Sequence, residues 1–532
     1  MFTIEDVPTE IIEKIFLTAD LQGLARCRQV CRRFNDIVSN STLIQYRLEL
    51  AADGLVDGPP GGLTVGERLQ ALHARRNAWA TMQPTSTRVV YSDNRDYACS
   101  FGRNCFAHHR PGDTTAQTQV AQIAAPSRGI PEKEWLFKEE SVSAWWNLDE
   151  DLLLFQTYIP FEQTCQFRFL SRTAQDNHPK AAKHTVLFNE FPGYNADAEL
   201  ESWEVAYDYV GLMLSGLDQP NIYSLSFYNW KTGVFFLNVV STYSFDYVYV
   251  SERYLILLYL EDILSRGYAT ISVVDLLKIQ KQATDVGHPV ELHIANLDAT
   301  TTVCQLQLLN ASHGHTIHIY MSHRTWRPQG PDAHVPFYVG DSRLLVFYVD
   351  ALDEEGVITV VPLSTILRRI ELAEADPKEN HRVKWSDWGS EGTRIVGHKQ
   401  MFVDTNFCGM IAVVAGGLDP SSDSSPTATY LYNFTPSTVR KYAADKAMGT
   451  APPEVEYSTR SVYQSSFDAG GEGQLVTELP ACRVEIPPRL LQHPTRPNDF
   501  TMTGVIPGDD CLVMLFRPLD TDQQREYHIL SF

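Results

Sequence analysis

The apolar residues of this chain change period near residue 84: before it they recur every three to four positions, and after it they fall in short β-branched and aromatic runs. A helix-period pattern does not settle into a sheet, nor a strand pattern into a helix bundle. The chain is therefore predicted to be mainly β with a small all-α N-terminal module: helices over 1–52, a linker and connecting helix over 53–84, and a β-rich body over 85–532. Single cores stop growing beyond about 250–300 residues, so a body of this size needs several units or a repeat.

The body does repeat. A strand, a tight polar turn and a second apolar strand recur: 245–250 is expected to meet 255–259 across Ser251-Glu252-Arg253, 335–339 to meet 344–349, and 505–506 to meet 511–516 across Gly508-Asp509-Asp510. Residues 205–214 and 148–155 look like weaker copies. A second pattern runs 221–230, a polar turn, then 234–240, with 267–276 repeating its first half. Copies spaced by roughly 45–60 residues over roughly 450 residues give seven or eight units. A β-propeller of degenerate repeat satisfies this best, because a ring of blades leaves only short, protected edges; a pair of β-sandwiches is the alternative. No Trp-Asp dipeptide occurs, nor the Gly-Gly pattern of kelch blades. The terminal run 527–532 is expected to close the ring against 88–91. Segments 110–132, 418–428 and 445–475 are rich in Pro, Ser, Gly and Asp and read as long loops or disorder.

In the helical part, Ile11, Ile12, Ile15 and Phe16 stand at i, i+1, i+4 and i+5, one stripe with Glu10, Glu13 and Lys14 off it. Pro8 suits a first turn. Asp20 can cap a second helix with Leu21 and Leu24; Val30, Phe34, Ile37 and Val38 mark a third, and Leu43, Tyr46 and Leu50 a fourth after Ser41. Helices this short need a partner to pack against. Residues 57–62, Asp-Gly-Pro-Pro-Gly-Gly, read as a linker, and Thr64-Val65-Gly66-Glu67 as a capping box opening a helix with Val65, Leu69, Leu72 and Trp79 on one face. That helix is expected to join module to body and set the angle between them.

Val7-Pro8, Glu10-Ile11-Ile12, Ile15-Phe16, Asp20-Leu21, Leu24, Val30-Cys31-Arg32, Phe34 and Ile37, in this order and spacing, resemble the F-box motif. In that family a Leu-Pro opening, an Ile/Leu-rich first helix and a Val-Cys-Arg-x-Trp stretch form a module that binds a Skp-type adaptor and, through it, a cullin-based ubiquitin ligase. Val7 replaces the usual Leu, and Phe34 stands where Trp is common. The run 43–50, followed by Ala51-Ala52-Asp53-Gly54, is similar to fungal F-box proteins in particular. The resemblance implies adaptor contacts from Val7, Pro8, Ile11, Ile12, Ile15, Phe16, Leu21, Leu24, Val30, Cys31, Phe34 and Ile37, with a client protein held by the β body at residues the sequence does not name.

The formal net charge is −21, of which residues 1–80 carry −1 and the body −20. Such a field repels polyphosphates and argues against a nucleic-acid partner. Nine scattered cysteines do not resemble a disulfide framework. The acidic start and the lack of an apolar stretch of about 18 residues argue against a leader or a membrane span and lead to a cytoplasmic or nuclear expectation.

Chemistry-bearing motifs are weak. Cys99, Cys105, His108 and His109 lack the spacing of a closed zinc site. His313, His315 and His318 lie on an expected strand, where solvated histidines are common. Trp388-Gly389-Ser390-Glu391-Gly392 puts Trp where a nucleophile elbow needs Gly, and there is no phosphate loop or His-Glu-x-x-His. The expected function is a non-catalytic substrate receptor without cofactor or metal. The alternatives are an F-box protein with a non-ligase assembly role and a propeller enzyme whose helices only cap it.

Overall fold

The structure, a computed structural model, describes residues 7–532 apart from 60, 93–98, 103–104, 110–117, 139–142, 160–163, 193, 195–197, 217–221, 262–267, 298–300, 311–315, 322–334, 341, 352–353, 377–381, 398–406, 417–427, 465–473 and 521–523. Five helices come first: α1 (Thr9–Thr18), α2 (Leu21–Val30), α3 (Arg32–Asn40), α4 (Thr42–Ala52) and α5 (Val65–Thr81). Their starts follow the expected chemistry. Asp20 accepts from Gly23 N, Ser41 from Ile44 N, and Thr64 and Glu67 close a reciprocal capping box.

Seven antiparallel meanders follow, forming a seven-bladed β-propeller. Each interface between neighbouring blades holds its own apolar cluster, and the seven clusters run round the ring without a gap. Blade strands are covered on both faces, which explains continuous apolar runs such as residues 254–260 in place of alternation. The last blade combines Phe500–Pro507, Cys511–Pro518 and Arg525–Ser531 with the early strand Ser86–Ser92, in register Arg88↔Ile529 and Tyr91↔Glu526. The closing strand thus lies where the sequence put it. The pairings Phe245↔Tyr259 and Val505↔Met514 also follow expectation, as does the hairpin of Tyr223–Asn229 with Val234–Ser241.

Two expectations fail. Residues 337–339 do not pair with 344–349; they pair with Leu55–Asp57, inside the supposed linker, as Leu55↔Val339, Val56↔Tyr338 and Asp57↔Phe337. The reason lies in Tyr46 and Arg68, which hold Pro336 O, and in Gly58, where any Cβ would collide with the 335–336 backbone. Within the segments read as loops, Thr118–Gln122, Val455–Ser458, Ser461–Gln464 and Gln474–Thr477 are strands; 110–117, 418–427 and 465–473 lie outside the described residues.

Three blades carry a helix between their third and fourth strands: α6 (Leu276–Val286), α7 (Leu363–Ala375) and, beyond the one-turn α8 (Gly389–Gly392), α9 (Pro436–Met448). After α6 the chain adds Val290–His293 in parallel to the preceding blade, and after α7 it does the same with Arg382–Val383. These excursions stitch neighbouring blades together.

Candidate functional site

In α1 the expected stripe divides into two rows. Ile12 and Phe16 are 1% and 3% exposed, whereas Ile11 and Ile15 are 44% and 55% exposed. Side chains four apart stack along a helix, so each row keeps one environment over a full turn. The inner row belongs to a small core with Leu24, Ile37, Val38 and Ile44, and the Phe16 ring meets Phe34 edge-on at 5.0 Å. Ser41 Oγ donates to Glu13, and Arg47 donates to Leu17 O, fixing α1 against α3 and α4.

The twelve residues named from the sequence therefore fall into different classes. Ile12, Phe16, Leu24 and Ile37 are buried and build the module; Val7 and Phe34 are half-buried at its margin. Pro8, Ile11, Ile15, Val30 and Cys31 are exposed. Leu21 starts α2, and its side chain lies outside the described residues. Cys31 is extended (φ −158°, ψ 165°) and ends α2 while starting α3.

The module is bound firmly to one face of the ring. Tyr46 Oη lies 2.8 Å from both Asp57 Oδ1 and Pro336 O. Burial, and then the Asp57 carboxylate, raise its pKa far above the ordinary phenol value. Arg68 reaches Asp57, Gly58 O and Pro59 O. Arg76 bridges Glu49 and Asp53, Thr438 Oγ1 donates to Ala52 O, and Trp79 stacks on Phe532 at 4.4 Å.

At the same end of the ring, Arg75 donates to Asp510 Oδ1 (2.9 Å) and Asp509 O (2.8 Å). Arg128 Nε donates to Asp510 Oδ2 at 2.6 Å, and Cys408 Sγ donates to Asp509 Oδ1 at 3.1 Å. Asp509 and Asp510 are 3% and 1% exposed, so this polar turn is sealed from solvent. Burial alone would raise the Asp510 pKa, but Arg128 and Arg75 hold it below the usual carboxylate range.

All these contacts use connections between first and second or third and fourth strands of a blade. In a meander such connections share one end. The connections between second and third strands, and from blade to blade, form the other end, away from the helices. Many of them fall outside the described residues.

Cys99, Cys105, His108 and His109 lie on one hairpin, in register Cys99↔His108 and Gly102↔Cys105; Cys105 is buried, and the side chains of the other three lie outside the described residues. His313 and His315 lie outside the described residues, and His318 stacks on Tyr320 and Tyr348. Trp388 is buried and donates to Gln307 O, following a 3₁₀ turn rather than the strand an elbow requires.

Among the described residues, one cluster has metal-ligand chemistry: His493, Glu526 and His528. Both imidazoles place Nε2 at 2.9 Å from Glu526 Oε2. His493 Nδ1, however, accepts from Arg496 N (3.0 Å) and Thr495 N (3.4 Å), so its proton sits on Nε2. A metal at Nε2 would require that proton on Nδ1, against two N–H donors. Arg496 also lies on Glu526. The trio fits a carboxylate shared by two imidazoles, not an ion.

Comparison with known proteins agrees with the module. Residues 4–48 match the F-box-like family. No curated protein sequence matches the chain. Among solved structures, it is similar to the WD40 domain of Toxoplasma gondii coronin at 9% identity over 84% of this chain and 88% of that one, with a TM-score of 0.33. Drosophila Plexin A in complex with Semaphorin 1b gives 6% identity over 86% and 77%, with a TM-score of 0.25. The class defined by module and ring is an F-box followed by a seven-bladed β-propeller. No helix among the described residues is long and apolar enough to cross a membrane.

Proposed function

We propose that this chain is the substrate-receptor subunit of a Skp/cullin-type ubiquitin ligase, with the N-terminal helices docking a Skp-type adaptor and the far end of the ring holding a client protein. The observation that carries this reading is the outer row of α1. Ile11 and Ile15 stay in solvent although their neighbours Ile12 and Phe16 are buried. A chain that needed these helices only as a cap would gain by covering that row, since burying one such side chain contributes roughly 1.5–3 kcal/mol. An exposed apolar row on an F-box module is what an adaptor would cover.

The receptor contributes proximity rather than bond chemistry. It holds client lysines near a ubiquitin-charged enzyme and raises their effective concentration. The compartment proposed for this work is the cytoplasm or the nucleus, where Skp-type adaptors would be met.

The test is co-purification with a Skp-type adaptor. Wild-type chain is expected to retain it, and Ile15→Asp, which puts a charge into the contact without touching the module's core, is expected to lose it while thermal stability stays unchanged. Retention of the adaptor by Ile15→Asp would overturn the proposed docking surface.

A further inference from the structure

A half-open cleft with room for about 130 Å³ is lined by α5, α9 and the blade built on Ile411–Gly416 and Ala428–Asn433. Its apolar floor is Met82, Leu431 and Val484, and its polar side is Trp79, Lys441 and Tyr442. None of the three has a protein partner among the described residues, but only the Trp79 nitrogen is shut off from solvent; Lys441 and Tyr442 are half-buried. Trp79 Nε1–H is buried and meets no acceptor among the described residues. Lys441 makes no ion pair and the Tyr442 hydroxyl no hydrogen bond among them. Burial raises the Tyr442 pKa, with Cys482 and Asp53 adding to it, so the phenol stays a neutral donor.

The remaining cations at the rim are already neutralised. Arg75 is paired with Asp510, and Arg76 with Glu49 and Asp53. The site therefore offers one uncompensated positive charge, two further donors and an apolar floor. Leaving a buried donor unsatisfied is costly, and natural structures seldom tolerate it without a ligand or a role.

We propose that this cleft binds a small monocarboxylate, with its carboxylate on Lys441 and the Trp79 indole N–H and its apolar body on Met82, Leu431 and Val484. The volume is close to the roughly 150 Å³ of a cavity that holds benzene, so the apolar body of the ligand is about one ring, with its carboxylate at the open side. A single charge matches Lys441, whereas a phosphate dianion would bring a second negative charge against Asp53. Because the walls come from both α5 and the ring, an occupant would brace the joint between module and propeller. This inference is independent of adaptor docking, and neither reading falls with the other.

The test uses the full chain with ¹⁵N-labelled tryptophan and benzoate as the probe. The Trp79 indole N–H signal, assigned through Trp79→Phe, is expected to shift saturably with benzoate. Neutral benzamide, of the same shape, is expected to bind at least about tenfold more weakly, because it loses the charge-assisted contact. Lys441→Met should weaken benzoate by at least about tenfold and erase its advantage over benzamide, and Lys441→Arg should keep it. The proposal is overturned if the Trp79 signal does not move up to the solubility limit of benzoate, or if wild-type chain responds equally to both probes. The second comparison needs no variant, so it holds even if Lys441→Met fails to fold.

Discussion

In the ring every blade has a neighbour on both sides, and each of the seven contacts is packed with apolar side chains. In the four N-terminal helices one core of six buried residues serves all, and Ile11 and Ile15 stay in solvent. The difference teaches where each part's order comes from. The ring completes itself; the helices are held from one side by α5 and the ring, and their other side is unfinished.

The sharpest way to break this contrast is at the ring's closure. Asp510→Ala would leave Arg128 buried without its principal counter-charge, and the expected loss is about 3–5 kcal/mol in urea denaturation of the full chain. A loss within ordinary surface values would mean that closure does not depend on this turn. Next come the two rows of α1. Ile12→Ala should cost about 2–5 kcal/mol and speed hydrogen exchange across the module, while Ile11→Ala should stay within about 0.5 kcal/mol. Equal costs would remove the distinction between inner and outer rows.

A smaller effect is expected at the joint. Tyr46→Phe gives up a hydroxyl shared by Asp57 and Pro336 and should cost about 0.5–1.5 kcal/mol, with faster exchange at 55–57 and 337–339 and none elsewhere in the blades.

The smallest effect is one of pH in the closing blade. Burial alone would raise Glu526, but His493, His528 and Arg496 hold its pKa below 4.5, so its contribution is present above that value and lost as pH falls through the lower folded one. Burial holds His528 below 6.5; the unfolded chain therefore takes up a proton there before the folded one does, and stability again falls with pH. Each group contributes a slope of at most about 1.4 kcal/mol per pH unit. Protection against exchange in Arg525–Ser531, measured relative to the intrinsic amide rate at each pH, is expected to fall between pH 7 and 5, and His528→Gln should flatten that part of the profile.

Much of this was legible in the sequence for local reasons. The hairpin at 245–259 and the closing pair of 88–91 with 527–532 are marked by apolar runs that nothing else in the chain interrupts. The helices in the blades were missed because their strands run into them without a turn. Val273-Val274-Asp275-Leu276 and Val360-Val361-Pro362-Leu363 each pass from strand to helix within one apolar run, so the change of period is hidden. Residues 337–339 were given a near neighbour when their partner is the distant Leu55–Asp57. The sequence shows Gly508-Asp509-Asp510 as a polar turn but not that it is buried, because Arg75 and Arg128 stand far away in sequence. For the candidate site, order and spacing found the helices, but only three-dimensional packing separates Ile11 and Ile15 from Ile12 and Phe16.

α5 is a 17-residue helix tied near its start by Arg68 to the 57–59 turn and near its end by Arg75 and Trp79 to the ring. It acts as a splint of about 25 Å. A load pulled at either end is felt as rotation of the whole particle rather than as bending at a hinge, so the span between whatever grips the helices and whatever rests on the ring is a fixed length, not a distribution.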